Sequence, residues 1–373
     1  MSSPLSELTV GVGVRSYNAS YSYAGLDVPG VRFIRAFRVP LNRVAPGSHT
    51  ALNTYVTFDP RADLLHLMNG VSALGLPTPW IASFESMLPR LDARHHRSWL
   101  ERRLVDRLLD DRCRRLLAWS QHAILRLGHQ HPPDVVERLM RKTEVFAGST
   151  GPPVTQPKQH GFPLRVAFVG GQRFIGKGGI AVLRAFDRCR RMGQPIELEV
   201  VGTPEITELA PPASEYVEEA KRLGEGVVWH SWLDQAGVHA LLERSHVAAF
   251  PSLSETYGWL ALEAMQRACV PVVSGIVSLR EIVGEGGIVL DLPLGELQTW
   301  AGLDVVPEKR APLAARTLAG FTDQLEASFV ALASDAAMYE RLSAAALGEY
   351  RARFDPALAA GRLRAIYDQA LAR

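Results

Sequence analysis

Short runs of apolar residues alternate along this chain with longer stretches whose apolar positions recur every three or four residues. Strands buried on both faces read as continuous apolar runs, and their crossovers are helical, so the alternation predicts parallel strands covered by helices. In the second half the runs are Leu164 to Gly170, Ile196 to Val201, Val227 to Trp229, His246 to Phe250 and Val270 to Ser274. Five such strands suffice for a doubly wound sheet. Ile180 to Arg191 reads as the helix after the first of them, with Val182, Leu183, Ala185 and Phe186 on its apolar face.

The first half is less regular. Leu8 to Val14 reads as a first strand, and Tyr17 to Gly30, rich in Tyr, Ser and Gly, as loop. Asp63 to Met68 and Trp80 to Glu85 read as strands. An Arg-rich amphipathic helix is expected from His95 to Leu109, and the next amphipathic helix, from Asp111, leads to Leu116-Leu-Ala-Trp-Ser120. Between the halves, Ser149 to Pro163 holds four prolines and two glycines without a hydrophobic period, which is the composition of a linker.

Composition narrows the class. Of 373 residues 47% are hydrophobic and 21% charged, as in globular proteins. A net charge of +2 makes no electrostatic case for nucleic acid. No apolar run approaches the roughly 20 residues that cross a bilayer. Met1 to Gly13 lacks the basic and apolar regions of a secretory signal. Three scattered cysteines, Cys113, Cys189 and Cys269, suggest a reducing compartment. The expected location is the cytoplasm.

Two stretches carry candidate chemistry. In Val169-Gly-Gly-Gln-Arg-Phe-Ile-Gly-Lys-Gly-Gly, a strand runs through Gly170 and Gly171 to Arg173 and Lys177, and then into a helix. Glycines admit close backbone approach, a helix N-terminus offers amide donors, and Lys177 adds a charge, so the natural guest is a phosphate. Gly171 to Lys177 also fits the nucleoside-triphosphate loop G-x-x-x-x-G-K, but Gly178 replaces the Ser or Thr that holds magnesium there. The second stretch is Phe250-Pro-Ser-Leu-Ser-Glu-Thr-Tyr-Gly-Trp-Leu-Ala-Leu-Glu-Ala-Met. With a helix starting near Gly258, Glu255 lies before it and Glu263 a turn and a half inside, on the order of 9 Å or more apart. That spacing could hold a sugar at one end and a ribose at the other, with a diphosphate between. Two glutamates alone are more often a solvated face; here the apolar strand before and Cys269-Val-Pro-Val-Val-Ser after point to a site.

Pro251-Ser252, Glu255, Glu263-Ala264-Met265, Pro271-Val272-Val273 and Glu281-Ile282-Val283, in that order, resemble the donor-binding half of glycosyltransferase family 4, retaining enzymes of the GT-B fold. The resemblance runs from Val166 to Glu281 and is weaker in the first half. It implies two facing Rossmann-like α/β domains with a central cleft. The domains would be an acceptor-side domain (1–148), the linker (149–163), a nucleotide-sugar donor domain (164–355) and a terminal helix (356–373) packing back toward the first domain. It implies that Glu263 holds the ribose hydroxyls and Glu255 faces the sugar. Lys177, with the N–H groups of Tyr257, Gly258 and Trp259, would hold the diphosphate, beside Gly170 and Gly171. Arg173 comes slightly late for the family's loop arginine. Val228 to Trp232 falls where the family binds the base. In the first half, Asp63-Leu-Leu-His66 resembles a family strand, but Phe84 and Glu85 stand where a family histidine sits. Glu85 and Arg90 are acceptor-side candidates, and His66 fits a core histidine as well as a site residue.

Sugar transfer puts negative charge on the leaving diphosphate and positive charge on the sugar ring. Lys177 and the helix start would stabilise the first, Glu255 the second, each such contact contributing about 3 kcal/mol. No metal or other cofactor is required if the protein supplies these charges, and the chain has no Asp-x-Asp motif. The implied partners are a nucleotide-sugar donor and a glycan, lipid-linked or small-molecule acceptor. Arg90 to Arg115 holds nine arginines against five acids, which fits either peripheral contact with an anionic membrane or a solvated, ion-paired helix. Rival readings are a nucleotide-sugar epimerase, a P-loop-like NTPase and a catalytically degraded binding subunit.

Overall fold

A computed structural model of the chain describes residues 7–13, 16–40, 54–72, 77–91, 98–204 and 213–372. The chain divides into two compact units, Met1–Gly151 with Phe354–Arg373, and Pro152–Arg353.

The first unit holds β1 (Leu8–Val12), β2 (Val31–Arg35), β3 (Phe37–Pro40), β4 (Thr54–Phe58), β5 (Leu64–Met68), β6 (Val71–Ser72), β7 (Trp80–Phe84), β8 (Cys113–Ala118) and β9 (Thr143–Val145). Six of them form a parallel sheet in the order β2-β1-β5-β7-β8-β9, while β3, β4 and β6 form a small separate sheet. Successive side chains of a strand point to opposite faces. Leu65 and Leu67 therefore pack with α1 (Trp99–Leu109), α2 (Gln121–Gln130) and α3 (Pro133–Met140) through Leu104, Leu127 and Leu139. Leu64 faces the other way, into a cluster with Leu363, Ile366 and Tyr367 of the last helix, Pro356–Leu371. Asp355 starts that helix by accepting from the Ala357 N–H at 2.8 Å. Its Arg364 donates to the carbonyls of Pro29 and Gly30, both at 3.0 Å.

Two expectations need correcting here. Tyr17 to Gly30 is not all loop: Tyr17–Ala19 is a helical turn that Ser16 caps, and it continues as a π turn over Ser20–Ala24. Its Tyr23 is buried, the ring stacked 3.5 Å from that of His66. The stretch from Asp111 becomes strand β8 rather than an amphipathic helix, because Leu116, Leu117 and Ala118 are all buried and divide between the two faces. The helix expected from His95 is described from Trp99, where the Ser98 hydroxyl caps the Glu101 N–H at 3.2 Å; His95 lies outside the described residues.

The second unit is a six-stranded parallel sheet, β10 (Leu164–Gly171), β11 (Ile196–Gly202), β12 (Val228–His230), β13 (Val247–Phe250), β14 (Val270–Ser274) and β15 (Ile288–Leu290), in the order β12-β11-β10-β13-β14-β15. The short β15 is the strand that periodicity missed. The helices are α4 (Gly179–Arg191), α5 (Ala213–Leu223), α6 (Gln235–Arg244), α7 (Trp259–Gln266), α8 (Val277–Val283), α9 (Pro307–Ser334) and α10 (Ala336–Phe354); the helix of the first unit that follows is α11. The chain runs outward from β10 to β12 and then returns to place β13 on the other side of β10. Strand order reverses there, which makes the carboxyl ends of β10 and β13 the switch point at which open α/β sheets bind ligands. Val166 lies beside Val247 and Ala167 beside Ala248, so the glycine loop and the Pro251 loop leave the sheet next to each other.

Candidate functional site

The glycine loop is anchored from below. Phe174 and Ile175 are buried in the core of the second unit, and a chain of turns links Gly170 to Arg173, Arg173 to Lys177 and Ile175 to Gly178 by backbone hydrogen bonds of 2.8–3.1 Å. Gly170 packs on the Phe168 ring and Gly179 on the Phe174 ring, where a Cβ would come within 2.7 and 2.5 Å of ring atoms respectively. Gly178 caps α4 at φ +80°, and a Cβ there would stand 2.2 Å from the Pro251 carbonyl oxygen. Gly171, at φ +55°, faces open space.

The second loop meets the first directly. The Leu253 N–H donates to the Gly176 carbonyl at 2.9 Å, and the Ser274 hydroxyl donates to the Ser252 carbonyl at 2.6 Å. The Lys177 ammonium is ion-paired with the Glu255 carboxylate and lies 3.5 Å from the Ser254 carbonyl. Both side chains are about one-fifth exposed, open to a ligand yet partly desolvated. Arg173 is exposed on the same turn.

Gly258 starts α7 with φ +117°, a conformation closed to most side chains; a Cβ would also strike Leu279 at 2.4 Å. Tyr257 and Trp259 on either side are buried, their rings in edge contact at 4.6 Å. Burial pushes the Tyr257 phenol far above its ordinary range, so this ring is core, and the segment can meet a ligand chiefly through its backbone. Glu263, one turn further on, is 2% exposed. Its Oε1 accepts from Gln235 Nε2 at 3.0 Å and from His239 Nε2 at 3.2 Å, both on α6. Sequence reading missed these two; their spacing of four residues puts them on one helix face, but only the packing of α6 beside α7 makes Glu263 their partner. Trp232, between β12 and α6, stands 75% exposed.

In the first unit, Glu85 follows β7 and is nearly buried. Its carboxylate pairs with Arg90 and accepts from Asn69 Nδ2 at 3.3 Å, while its N–H donates to Asn69 Oδ1 at 3.1 Å. Asn69, which the sequence reading passed over, follows β5 with φ +48°, a strained conformation for a residue other than glycine. His66 turns out to be a core residue. Its Nδ1 meets the Tyr367 hydroxyl at 2.8 Å and its Nε2 the Ser83 hydroxyl at 2.7 Å, and burial holds its pKa well below the usual value.

The three cysteines are buried free thiols, Cys113 pushed up to about 12 and Cys189 and Cys269 to about 11 by burial. In the Arg-rich segment, Arg107 pairs with Asp110 at 3.0 Å and Arg115 with Glu144 at 3.8 Å, while Trp99 is 73% exposed. Among the described residues, no helix is long and apolar enough to cross a membrane.

Residues 163–300 match the family model described as glycosyl transferases group 1. Alpha-maltose-1-phosphate synthase of Mycolicibacterium smegmatis is 27% identical over 197 residues, 51% of this chain and 49% of that protein. The chain thus spans about half the length of this curated relative. Anabaena HepE, solved in complex with UDP and glucose, superposes with TM-score 0.58 at 13% identity, over 96% of this chain and 99% of that one. A UDP-forming α,α-trehalose-phosphate synthase from Burkholderia xenovorans gives 0.54 at 14%, over 85% and 75%. A glycosyltransferase from Rickettsia africae gives 0.53 at 12%, over 83% and 77%. At such identities the likeness is one of fold: two α/β units, each with a six-stranded parallel sheet, as in GT-B glycosyltransferases.

Proposed function

We propose that this chain, whose residues 163–300 match the model of the glycosyl transferases group 1, moves a hexose from a nucleoside-diphosphate sugar to a hydroxyl-bearing acceptor with retained anomeric configuration. The observation that carries the reading is the Lys177–Glu255 ion pair, formed where the two loops leave the switch point of the second unit's sheet. A cation and a carboxylate side by side match the two charges that develop as the bond from anomeric carbon to diphosphate oxygen breaks.

In this reading the diphosphate lies along Gly170, Gly171 and the start of α7 and takes the Lys177 ammonium from Glu255. Arg173 supplies further charge from the exposed turn. Glu255, released, faces the sugar ring and stabilises its positive charge. The backbone at Tyr257, Gly258 and Trp259 completes the anion cradle, Glu263 accepts from the ribose hydroxyls, and the exposed Trp232 meets the base. HepE, similar in fold, was solved with UDP and glucose, which favours a nucleotide-sugar donor here as well. The acceptor, a glycan, a lipid-linked sugar or a small molecule, falls to the first unit, where Glu85 and Arg90 offer hydrogen-bonding groups for hydroxyls. Peripheral contact with an anionic membrane, through Trp99 and the exposed Arg102 and Arg103, belongs to the same proposal.

A thermal-shift screen against UDP-, GDP- and ADP-sugars tests the reading, because a ligand that binds only the folded chain raises its melting temperature. One nucleotide family should stabilise the wild type, and the shift should vanish in Lys177→Ala. No shift with any of them, or an undiminished shift in the variant, overturns it.

A further inference from the structure

Glu263 is the most deeply buried of the described acids in the second unit, at 2% exposed. A carboxylate taken out of water needs donors, and its rotation must be fixed if it is to grip two hydroxyls in one geometry. Both needs are met from one neighbouring helix. Gln235 is the first residue of α6 and His239 lies one turn on, so the two share a face. The turn between them is held by Asp234, whose Oδ1 accepts from the Gly237 N–H at 2.7 Å. Gln235 Nε2 and His239 Nε2 converge on the same oxygen, Oε1, at 3.0 and 3.2 Å. A carboxylate only accepts, so His239 carries its proton on Nε2.

We infer that Gln235 and His239 are positioning residues that orient the Glu263 carboxylate, and that through it they make the donor site select ribose over 2′-deoxyribose. This rests on the reading that Glu263 grips the ribose hydroxyls. Neither residue touches the nucleotide. Removing either donor lets the carboxylate rotate toward other partners, and the hydroxyl contact at the 2′ position is lost while phosphate and base contacts remain. Affinity for the 2′-deoxy nucleotide, which has one hydroxyl fewer for Glu263 to grip, therefore falls less than that for the ribonucleotide, whereas a general loosening of the unit weakens both alike.

The test is calorimetric titration of the full chain with UDP, GDP and ADP and with their 2′-deoxy counterparts. The wild type should bind its preferred ribonucleotide about tenfold tighter than the deoxy form, the worth of one hydrogen bond to a charged group. In Glu263→Gln, Gln235→Leu and His239→Leu the two forms should bind alike, at or below the wild-type deoxy affinity. His239→Gln, whose Nε2 stands the same number of bonds from the backbone, should restore selection. If the wild type binds the ribo and deoxy forms equally, or binds none of the three nucleotides, the ribose reading of Glu263 falls and this inference with it. If Glu263→Gln loses selection while Gln235→Leu and His239→Leu keep it, the inference alone falls. Equal weakening of both forms in His239→Leu, unrelieved in His239→Gln, also overturns it, since that is the signature of a structural role.

Discussion

Lys177 and Glu255, separated by 78 residues, form an ion pair across the point where strand order reverses in the second unit. Each is the group that would otherwise be costly to leave partly desolvated, so each keeps the other in place until a ligand arrives. On the proposed reading, a diphosphate displaces Glu255 from Lys177, and the displaced carboxylate faces the sugar it carries.

This exchange predicts an asymmetric variant. In Glu255→Gln the ammonium has lost its competitor, so a free nucleoside diphosphate should bind several-fold tighter, while turnover of the nucleotide-sugar should fall on the order of a hundredfold. Titration calorimetry and steady-state kinetics on one preparation check both halves. Weaker diphosphate binding in the variant would show that Glu255 does not restrain Lys177.

The two loops touch only because position 178 has no side chain. Gly178→Ala places a methyl group 2.2 Å from the Pro251 carbonyl oxygen at φ +80°, and should both destabilise the fold by about 1–3 kcal/mol and weaken nucleotide binding. Gly171→Ala is the control. Its φ of +55° is strained, but a Cβ meets nothing within 4 Å, so only the backbone cost of about 1–2 kcal/mol remains. Urea unfolding of both variants should rank them in that order.

His66 gives the fold a defined acid sensitivity. Burial lowers its folded-state pKa well below the usual 6.5, so the unfolded chain takes up a proton that the folded chain refuses. Stability is complete above about pH 6.5 and is lost as pH falls below it, at up to about 1.4 kcal/mol per pH unit for one group. His131, lowered by burial, and His246, lowered to about 4 chiefly by burial, act in the same direction. His66→Gln should be less stable than the wild type at neutral pH, yet lose less stability on acidification. Unfolding at about pH 7.5 and about pH 5 measures the difference; an unchanged slope removes His66 from the account.

On the acceptor side, Glu85→Gln should raise the acceptor KM by about tenfold and leave nucleotide affinity as it was, because what it weakens, hydrogen bonds to the acceptor and the Arg90 ion pair, lies in the first unit. Asn69→Ala should act in the same sense through the orientation of Glu85, to which it is bonded twice. Kinetics with the acceptor varied at saturating donor decide this. A change confined to the donor KM would place Glu85 elsewhere in the reaction.

The sequence determined the strands of the second unit to within one or two residues, because strands buried on both faces must be written in apolar residues whatever surrounds them. It also marked the glycine-rich turn before α4 and, in the second stretch, Glu255 and Glu263, because glycines at a strand-to-helix turn are a local demand that few other residues satisfy. It missed β15 in the second unit and β2, β3, β4, β6 and β9 in the first, all of them five residues or fewer, and misread Tyr17 to Gly30, where Tyr23 serves as core. Only tertiary structure decided what each side chain faces. That His66 sits in the core rests on Tyr23, Ser83 and Tyr367, the last of which is 301 residues away. That Asn69 serves Glu85, and Gln235 and His239 serve Glu263, depends on strands and helices packed side by side from distant parts of the chain. Backbone conformation is set by near neighbours, and a local pattern records it. A hydrogen bond between distant segments exists only once the sheet has been assembled, so the spacing of residues along one segment holds no trace of it.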